Sequence, residues 1–389
     1  MNQITFCIPT KNNLRYLKSS IASIKENSSM SHDIIVYIDS DNDGTEEWLK
    51  TQTNVAYLKN HDDEPKGIAH GYNMCIDAAE TDIVCMFHAD MYMAKVFDVA
   101  ICKYIKEGVV VSGTRIEPPL HPEGKEKIVK NFGMYPEDFM KAEFDEFTAE
   151  YIQNHKDKTT VGIFAPWAIY KRDVEAINLH DEMFHSYHED SDIFNRFLLA
   201  GYELVQTWEG LVYHLTCRGG QFQDGIDKVT ADPAFHRMKE TAARDYLRKW
   251  GSWIINDEYQ KPIIPRKYNV AFVVKNCTYQ LLEALEPCCD RIYVENKFNY
   301  RETEQPNTSF DLDKRVLYIS ENDPEAENDI VLKFDSTQFT QDSFNIIQNL
   351  SDIITESGEV GTFNLDCFTV IISSMETYEK NLITELLTQ

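Results

Sequence analysis

Short apolar runs alternate with helix-like segments through the first 115 residues. The runs ITFCI, IIVYI, VAYL and IVCMF are separated by segments of helical periodicity at about 14–26, 45–50 and 68–79. Neighbouring parallel strands need crossover connections, which helices supply, so this rhythm predicts an α/β fold with a mainly parallel, doubly wound sheet. Ligands bind such sheets at the carboxyl ends of the strands. The segments PTKNN, DSDNDGT and HADM, which follow three of the runs, are all polar and mark the predicted site.

The length of the chain and one proline-containing segment indicate two domains. A chain of 389 residues is longer than single cores usually grow. The segment KPIIPRKYN has two prolines and flanking basic residues, and a new series of apolar runs follows it. We predict a first domain at 1–250, a linker at 251–267 and a smaller α/β domain at 268–389. The second domain has no glycine-rich turn after a strand and no clustered histidines, so its role stays open.

The charge balance excludes some partners. With 38 basic and 64 acidic residues the formal net charge is −26, which repels phosphate backbones, so we predict no nucleic-acid partner. An anionic ligand would need a cation to assist its binding. No apolar run approaches the roughly 18 residues that span a bilayer, and MNQITFCIPT lacks the features of a signal peptide. We therefore expect no transmembrane segment and a cytoplasmic location.

Six segments occur in an order that resembles one enzyme family. They are IPTKN, YIDSDNDGTEEWL, GIAHGYNMCIDAAETDIVCMFHADM, GIFAPWAIYKRDV, FHSYHEDSDIFNRFLLAGYEL and VYH. Together they resemble the inverting, family-two type of GT-A glycosyltransferases over about residues 3–216. The resemblance implies a GT-A-like first domain that moves a sugar from a nucleoside diphosphate donor to a hydroxyl acceptor with inversion. A UDP-sugar is the donor class it favours, a GDP-linked donor stays open, and the acceptor is a glycan, a lipid-linked molecule or a small molecule.

The resemblance implies nucleotide contacts after the first two strands. Pro9 and Thr10 occupy the loop that cradles the nucleotide, and the alternative is an ordinary strand-ending turn. Asp39, and less strongly Asp41, would accept hydrogen bonds from the base or the ribose. The alternative for both acids is a turn that caps the helix at Thr45.

Five further residues are assigned to the donor by the same resemblance. They are Lys66, Gly67, Asn73, Ala89 and Trp167. Lys66 would contact a phosphate, or it is a solvated surface lysine. Trp167 lies in the loop-like segment FAPWAIY and would stack on a sugar, with core packing as the equal alternative.

The segment HAD occupies the position of the acidic metal motif of the family. Asp90 would hold a divalent cation that bridges the donor phosphates and stabilises the departing diphosphate. His88 stands where the family commonly has an acid, and an imidazole suits Mn²⁺ better than Mg²⁺. His214, in VYH, matches a downstream histidine that supplies a further metal or diphosphate contact; alone, it would more often be a satisfied core histidine. The expected cofactor is therefore a divalent cation held by Asp90, His88 and His214.

The pair Glu189 and Asp190 opens a predicted helix over about 190–200. Inverting transfer needs a carboxylate that takes the proton of the acceptor hydroxyl, and Asp190 is the candidate base. Glu189 would contact the acceptor. The alternative is an acidic helix N-terminus without catalytic function.

Two other functions stay open. His88 in place of an acid is compatible with a catalytically inactive sugar-nucleotide or glycan-binding module, although such a module has little need of the Glu189–Asp190 pair. A nucleotidyltransferase would show a glycine-rich, basic loop after the first strand, which PTKNN does not supply. The oligomeric state is not determined by the sequence.

Overall fold

The computed structural model describes residues 2–223 and 226–386. The chain packs into two compact units. Unit 1 contains Met1–His236 and Asn256–Pro262, and unit 2 contains Arg237–Ile255 and Ile263–Gln389. No helix in the described ranges is both long enough and apolar enough to cross a membrane.

Unit 1 is built on one mixed sheet. Its strands are β1 (Ile4–Lys11), β2 (Asp33–Ser40), β3 (Ala56–Lys59), β4 (Ile83–Met86), β5 (Met91–Met93), β6 (Val109–Glu117), β7 (Lys127–Val129), β8 (Thr159–Thr160), β9 (Trp167–Tyr170) and β10 (Glu203–His214). The strand order is β3-β2-β1-β4-β9-β6-β10-β5, with β7 on β6 and β8 on β10. Strands β3, β2, β1 and β4 are parallel, as are β6 and β10, whereas β9 is antiparallel to both β4 and β6.

Helices connect these strands in unit 1. They are α1 (Leu14–Asn27), α2 (Thr45–Leu49), α3 (Ile68–Ala78), α4 (Phe97–Tyr104), α5 (Lys141–Asn154), α6 (Lys171–Glu175), α7 (Glu189–Leu199) and α8 (Lys228–Ala231). Helix α3 lies so close to the sheet that a Cβ atom at Gly71 would come within 2.8 Å of Pro9 and 2.9 Å of Tyr37. Strand β4 is buried along its whole length, as its unbroken apolar run predicts.

Unit 2 has a second, smaller sheet with a largely parallel core. Helix α9 (Pro233–Trp250) begins in unit 1 and continues into unit 2. The other elements of unit 2 are β11 (Val270–Lys275), α10 (Tyr279–Leu285), β12 (Arg291–Val294), α11 (Tyr300–Glu304), α12 (Leu312–Arg315), β13 (Val316–Tyr318), α13 (Pro324–Glu327), β14 (Ile330–Asp335), α14 (Gln341–Gln348), α15 (Leu350–Ser357), β15 (Gly361–Leu365) and β16 (Phe368–Ile372). The strand order is β13-β12-β11-β14-β16-β15, and β16 is antiparallel to both of its neighbours.

The predicted division of the chain differs from the packing at helix α9. The prediction assigned residues up to 250 to the first domain, whereas residues 237–255 pack in unit 2 and 256–262 in unit 1. The reason is a buried ionic network in unit 2, in which Arg248 donates to Glu286 at 2.7 Å and to Glu304 at 2.6 Å. A buried guanidinium needs such partners, so this part of α9 is fixed to unit 2.

The predicted fold class is confirmed. The apolar runs that indicated strands form β1 to β4 in unit 1 and β11, β12, β13, β14 and β16 in unit 2. The chain is an α/β protein with a large, mainly parallel sheet in unit 1 and a second, smaller α/β unit. In unit 2 the helical segment 341–357 consists of two helices, α14 and α15, which meet at Asn349.

Candidate metal and catalytic site

Strand register brings three chemically active side chains together at one edge of the sheet in unit 1. Strands β6 and β10 run parallel, and their last residues, Glu117 and His214, are neighbours. Strand β5 is antiparallel to β10, with Met91 opposite His214. Asp90 immediately precedes β5, so the same pairing sets it beside His214. His88 follows β4 after Phe87, and its ring reaches the same point.

His88, Asp90 and His214 form a compact group of possible metal ligands. One ligand atom from each residue lies within 4.8 Å of the others. Nε2 of His214 is 3.4 Å from Oδ1 of Asp90 and 3.4 Å from Nδ1 of His88. Adjacent ligands of a cation with bonds of about 2.1 Å lie roughly 3 Å apart, so these spacings fit a divalent ion after a small adjustment. Imidazole nitrogens are in general better ligands for transition ions than for Mg²⁺.

Asp90 is oriented by the backbone of a loop that follows β10. The amide of Arg218 donates to Oδ2 of Asp90 at 2.7 Å, which leaves Oδ1 facing His214. Burial would raise the pKa of Asp90, but the His214 and His88 rings and the Arg218 amide outweigh burial and lower it to about 2. The carboxylate is therefore ionised at neutral pH, as a metal ligand must be.

The ring of His214 lies between two carboxylates. Its Nδ1 is 3.0 Å from Oε1 of Glu117, opposite the side that faces Asp90. Burial would lower the pKa of His214, but the two carboxylates outweigh it and raise the pKa to about 9. For His88, burial and the nearby His214 lower the pKa to about 4.

Glu117 is itself held by two cations. Lys127 Nζ lies 3.0 Å from Oε2, and Arg115 lies 3.5 Å from Oε1. Burial opposes ionisation of Glu117, but Arg115, His214 and Lys127 outweigh it, and its pKa is far below the usual range. A cavity of about 300 Å³ opens beside His214 and is lined by Arg115, Glu117 and Lys127 together with Phe164.

Glu189 and Asp190 begin helix α7, directly after His188, which has a left-handed backbone with φ of 69°. Burial raises the pKa of Glu189 to about 8, and the charge of Asp190 adds to the shift. Burial also raises the pKa of Asp190, to about 6, against the opposing charges of Arg115 and His214. One of the charges that act on Asp190 is therefore His214, a member of the group of possible metal ligands.

Asp39 is the next-to-last residue of β2 and holds the loop that leads into helix α3. Its carboxylate accepts from the backbone amides of Lys66 at 2.7 Å and Gly67 at 3.1 Å. Gly67 has φ of +92°, and a Cβ atom there would lie 2.1 Å from the carbonyl oxygen of His185, so this position requires glycine. At the end of β1, Thr10 Oγ1 is buried and accepts or donates no hydrogen bond within residues 2–223 and 226–386.

Several residues assigned to the donor are engaged by the protein itself. Asp41 accepts from the amides of Gly44, Thr45 and Glu46, which is the helix-capping alternative. The Lys66 ammonium pairs with Asp62 at 2.7 Å.

Asn73 connects helix α3 to the segment that precedes helix α7. Its side-chain NH₂ donates to the carbonyl of His180 at 3.0 Å and to Glu182 at 2.9 Å. Its Oδ1 accepts from the amide of His180 at 2.9 Å. In the structure, this side chain therefore joins α3 to the segment at His180 and Glu182 by hydrogen bonds.

The prediction that Trp167 lies in a loop-like segment is wrong. Trp167 lies in strand β9 and not in a loop, and its side chain is 0% exposed. Its ring packs edge-on against Phe194 and Phe197. Strand β9 is inserted between β4 and β6, where both faces are covered, so core packing is the function that the structure shows.

The sequence did not single out Glu117 or assign a firm function to Arg218. No motif marks Glu117, which only strand register brings to His214. The guanidinium of Arg218 is buried on the carbonyls of Leu215, Phe222 and Met134, while its amide orients Asp90. The only sequence signal for Arg218 was its closeness to His214.

Residues 5–177 match the family model described as Glycosyl transferase family 2. This match confirms the family resemblance for that range, which includes His88, Ala89 and Asp90 and ends before Glu189, Asp190 and His214. No curated protein matches the sequence.

Solved structures similar to this chain include three glycosyltransferase structures. GalNAc-T7 with UDP, GalNAc and Mn²⁺ is 12% identical over 55% of this chain and 44% of that chain, with a TM-score of 0.42. S. aureus TarS 1-349 is 12% identical over 55% and 60%, with a TM-score of 0.39. The mannosyltransferase PcManGT from Pyrobaculum calidifontis, with GDP-Man and Mn²⁺, is 18% identical over 55% and 57%, with a TM-score of 0.39. The chain thus spans less than two thirds of each of these structures.

Proposed function

We propose that this chain, whose residues 5–177 match glycosyl transferase family 2, is a metal-dependent glycosyltransferase. It moves a sugar from a nucleoside diphosphate donor, with a UDP-sugar favoured, to a hydroxyl acceptor with inversion. The observation that supports this proposal is the grouping of His88, Asp90 and His214 in the same unit as a partly buried pair of carboxyls, Glu189 and Asp190.

The proposed metal centre answers an electrostatic problem. The donor brings two phosphate charges to a protein of formal net charge −26. A divalent cation held by His88, Asp90 and His214 would neutralise charge on the diphosphate as it leaves. The chain's own contribution is to hold the ligand atoms within 4.8 Å of each other before donor arrives.

The two partly buried carboxyls take different protonation states at neutral pH. With a pKa of about 6, Asp190 is mostly ionised and accepts the proton of the acceptor hydroxyl as that oxygen attacks the anomeric carbon. With a pKa of about 8, Glu189 is mostly protonated and donates a hydrogen bond to the acceptor. Two neighbouring carboxyls whose pKa values are pushed apart in this way support an enzyme over a binding module.

The ends of β1 and β2 supply the proposed nucleotide contacts. Thr10 has a buried hydroxyl without a hydrogen-bond partner in the described ranges 2–223 and 226–386, and we assign it to the nucleotide. Asp39 fixes the backbone of Lys66 and Gly67, so the loop beside the nucleotide is rigid before binding. Pro9 packs against helix α3 and completes this wall.

The proposal is tested by nucleoside diphosphate release from a panel of nucleotide sugars, with Mn²⁺ or EDTA and with simple hydroxyl acceptors. Asp190→Asn should lower kcat by about 10²- to 10⁴-fold because it removes a positioned base, with donor affinity nearly unchanged. Glu47→Gln is a matched control, since Glu47 is a carboxylate with a side chain that is 79% exposed. Donor binding without release for every acceptor would instead support a binding module, and near-normal turnover in Asp190→Asn would remove Asp190 from the mechanism.

A further inference from the structure

His214 contacts the candidate metal group with only one of its two ring nitrogens. Nε2 faces Asp90 and His88, each at 3.4 Å. Nδ1 points the other way and lies 3.0 Å from Oε1 of Glu117. A carboxylate can only accept a hydrogen bond, so Nδ1 carries a proton, and Nε2 is the nitrogen that can bind a cation once it has released its own proton.

Glu117 is rigidly placed for this contact. It is the last residue of β6, its side chain is buried, and the residue is 2% exposed. Its two oxygens have separate partners, because Oε2 binds Lys127 at 3.0 Å while Oε1 receives His214. Lys127 lies in β7, which pairs with β6, and it contacts Oε2, the oxygen of Glu117 that does not contact His214. Arg115, in the same strand as Glu117, adds a longer contact of 3.5 Å.

We propose that Glu117 is a positioning residue for the metal centre, which acts through His214 by fixing the ring orientation and the nitrogen that is presented to the ion. A histidine that binds a metal commonly donates its other N–H to a carboxylate, and loss of that partner typically weakens metal binding by about 10- to 100-fold. The competing explanation is that Glu117 only neutralises Arg115 and Lys127 in the fold. The inference rests on the proposed metal centre, and the experiment separates the two.

The test is Mn²⁺ titration by calorimetry on the full chain, without donor, for four proteins: wild type, Glu117→Ala, Glu117→Gln and Lys127→Met. The melting temperature of each is measured in EDTA, so that a folding defect is detected independently of the metal. Glu117→Ala removes the acceptor for His214. Glu117→Gln keeps an acceptor oxygen but removes the charge, and Lys127→Met removes an ion pair but keeps the acceptor.

We expect Glu117→Ala to weaken Mn²⁺ binding by about 10- to 100-fold. Glu117→Gln should bind at least about threefold more tightly than Glu117→Ala, because its amide oxygen still accepts from Nδ1, and Lys127→Met should stay within about threefold of wild type. Equal losses in Glu117→Ala and Glu117→Gln, or an equal loss in Lys127→Met, would assign Glu117 to the ion pairs and overturn the inference. If Glu117→Ala does not fold, the comparison of Glu117→Gln with Lys127→Met decides in the same way.

Two other outcomes distinguish this inference from the proposed function. Wild-type protein that does not bind Mn²⁺ refutes the metal centre itself. Wild-type binding that is unchanged in Glu117→Ala refutes only the function assigned to Glu117.

Discussion

The pH dependence of transfer tests the assignment of Asp190 as base and Glu189 as protonated donor. Asp190 must be ionised and Glu189 protonated, and their pKa values are about 6 and about 8. The two limits give a bell-shaped profile of kcat/KM with its maximum near pH 7. One pH unit below the lower pKa only about one molecule in eleven has Asp190 ionised, so the rate should fall about tenfold per unit in acid, and similarly above pH 8.

Glu189→Gln separates the two limbs of this profile. A glutamine cannot ionise, so the alkaline limb should disappear. The acid limb should stay near pH 6, because the charges that oppose burial at Asp190 come from Arg115 and His214. Because the two carboxyls interact, the observed values belong to the pair, and the variant shows which limb depends on which group.

The assay is nucleoside diphosphate release from pH 5 to 10, with Mn²⁺ saturating at each pH because protons compete with the metal for histidine nitrogens. Glu47→Gln is the control and should keep both limbs, since its side chain is exposed to solvent. Persistence of the alkaline limb in Glu189→Gln would show that another group causes it. Absence of any acid limb in the wild type would refute Asp190 as the base.

Three substitutions test other parts of the structure. Asp90→Ala should abolish Mn²⁺ binding measured by calorimetry, whereas Glu47→Gln should not change it; equal affinity would exclude Asp90 as a ligand. Trp167→Ala should lower the free energy of unfolding by about 3–5 kcal/mol in urea titration because it empties a core site, and a loss below 1 kcal/mol would contradict its packing between Phe194 and Phe197. Arg248→Met should lower the free energy of unfolding by about 3–5 kcal/mol because Glu286 loses a buried partner. Urea unfolding followed by circular dichroism measures this loss, and a urea midpoint equal to that of the wild type would contradict the prediction.

The sequence indicated the candidate site residues that lie at the ends of strands. It was less informative about side chains that form hydrogen bonds with backbone groups. His88 and Asp90 follow β4 and His214 is the last residue of β10, so the three meet at one edge of the sheet, and polar residues at the ends of apolar runs are visible in the sequence. For Asp41 and Asn73, the sequence did not show whether the side chain contacts the nucleotide or the protein's own backbone. Their hydrogen bonds to amides and carbonyls depend on the conformation of particular loops.

The order of the strands in the sheet could not be predicted from the sequence either. The run WAIY follows Pro166, and the sequence alone does not show that it enters the sheet between β4 and β6, where Trp167 becomes part of the core. The importance of Glu117 likewise depends on β6 lying beside β10, whose residues follow about 90 positions later in the chain. Periodicity finds strands, but it does not determine which strands are neighbours.

Strand β5 has a vulnerable position. It is three residues long and lies at the edge of the sheet in unit 1, where β10 is its neighbour in the strand order. Asp90 precedes β5 and His214 is the last residue of β10, so an ion bound by both residues would link the edge strand to its neighbour. Binding of the ion would then strengthen the attachment of β5 to β10, because the ion would join the residue that precedes β5 to the last residue of β10.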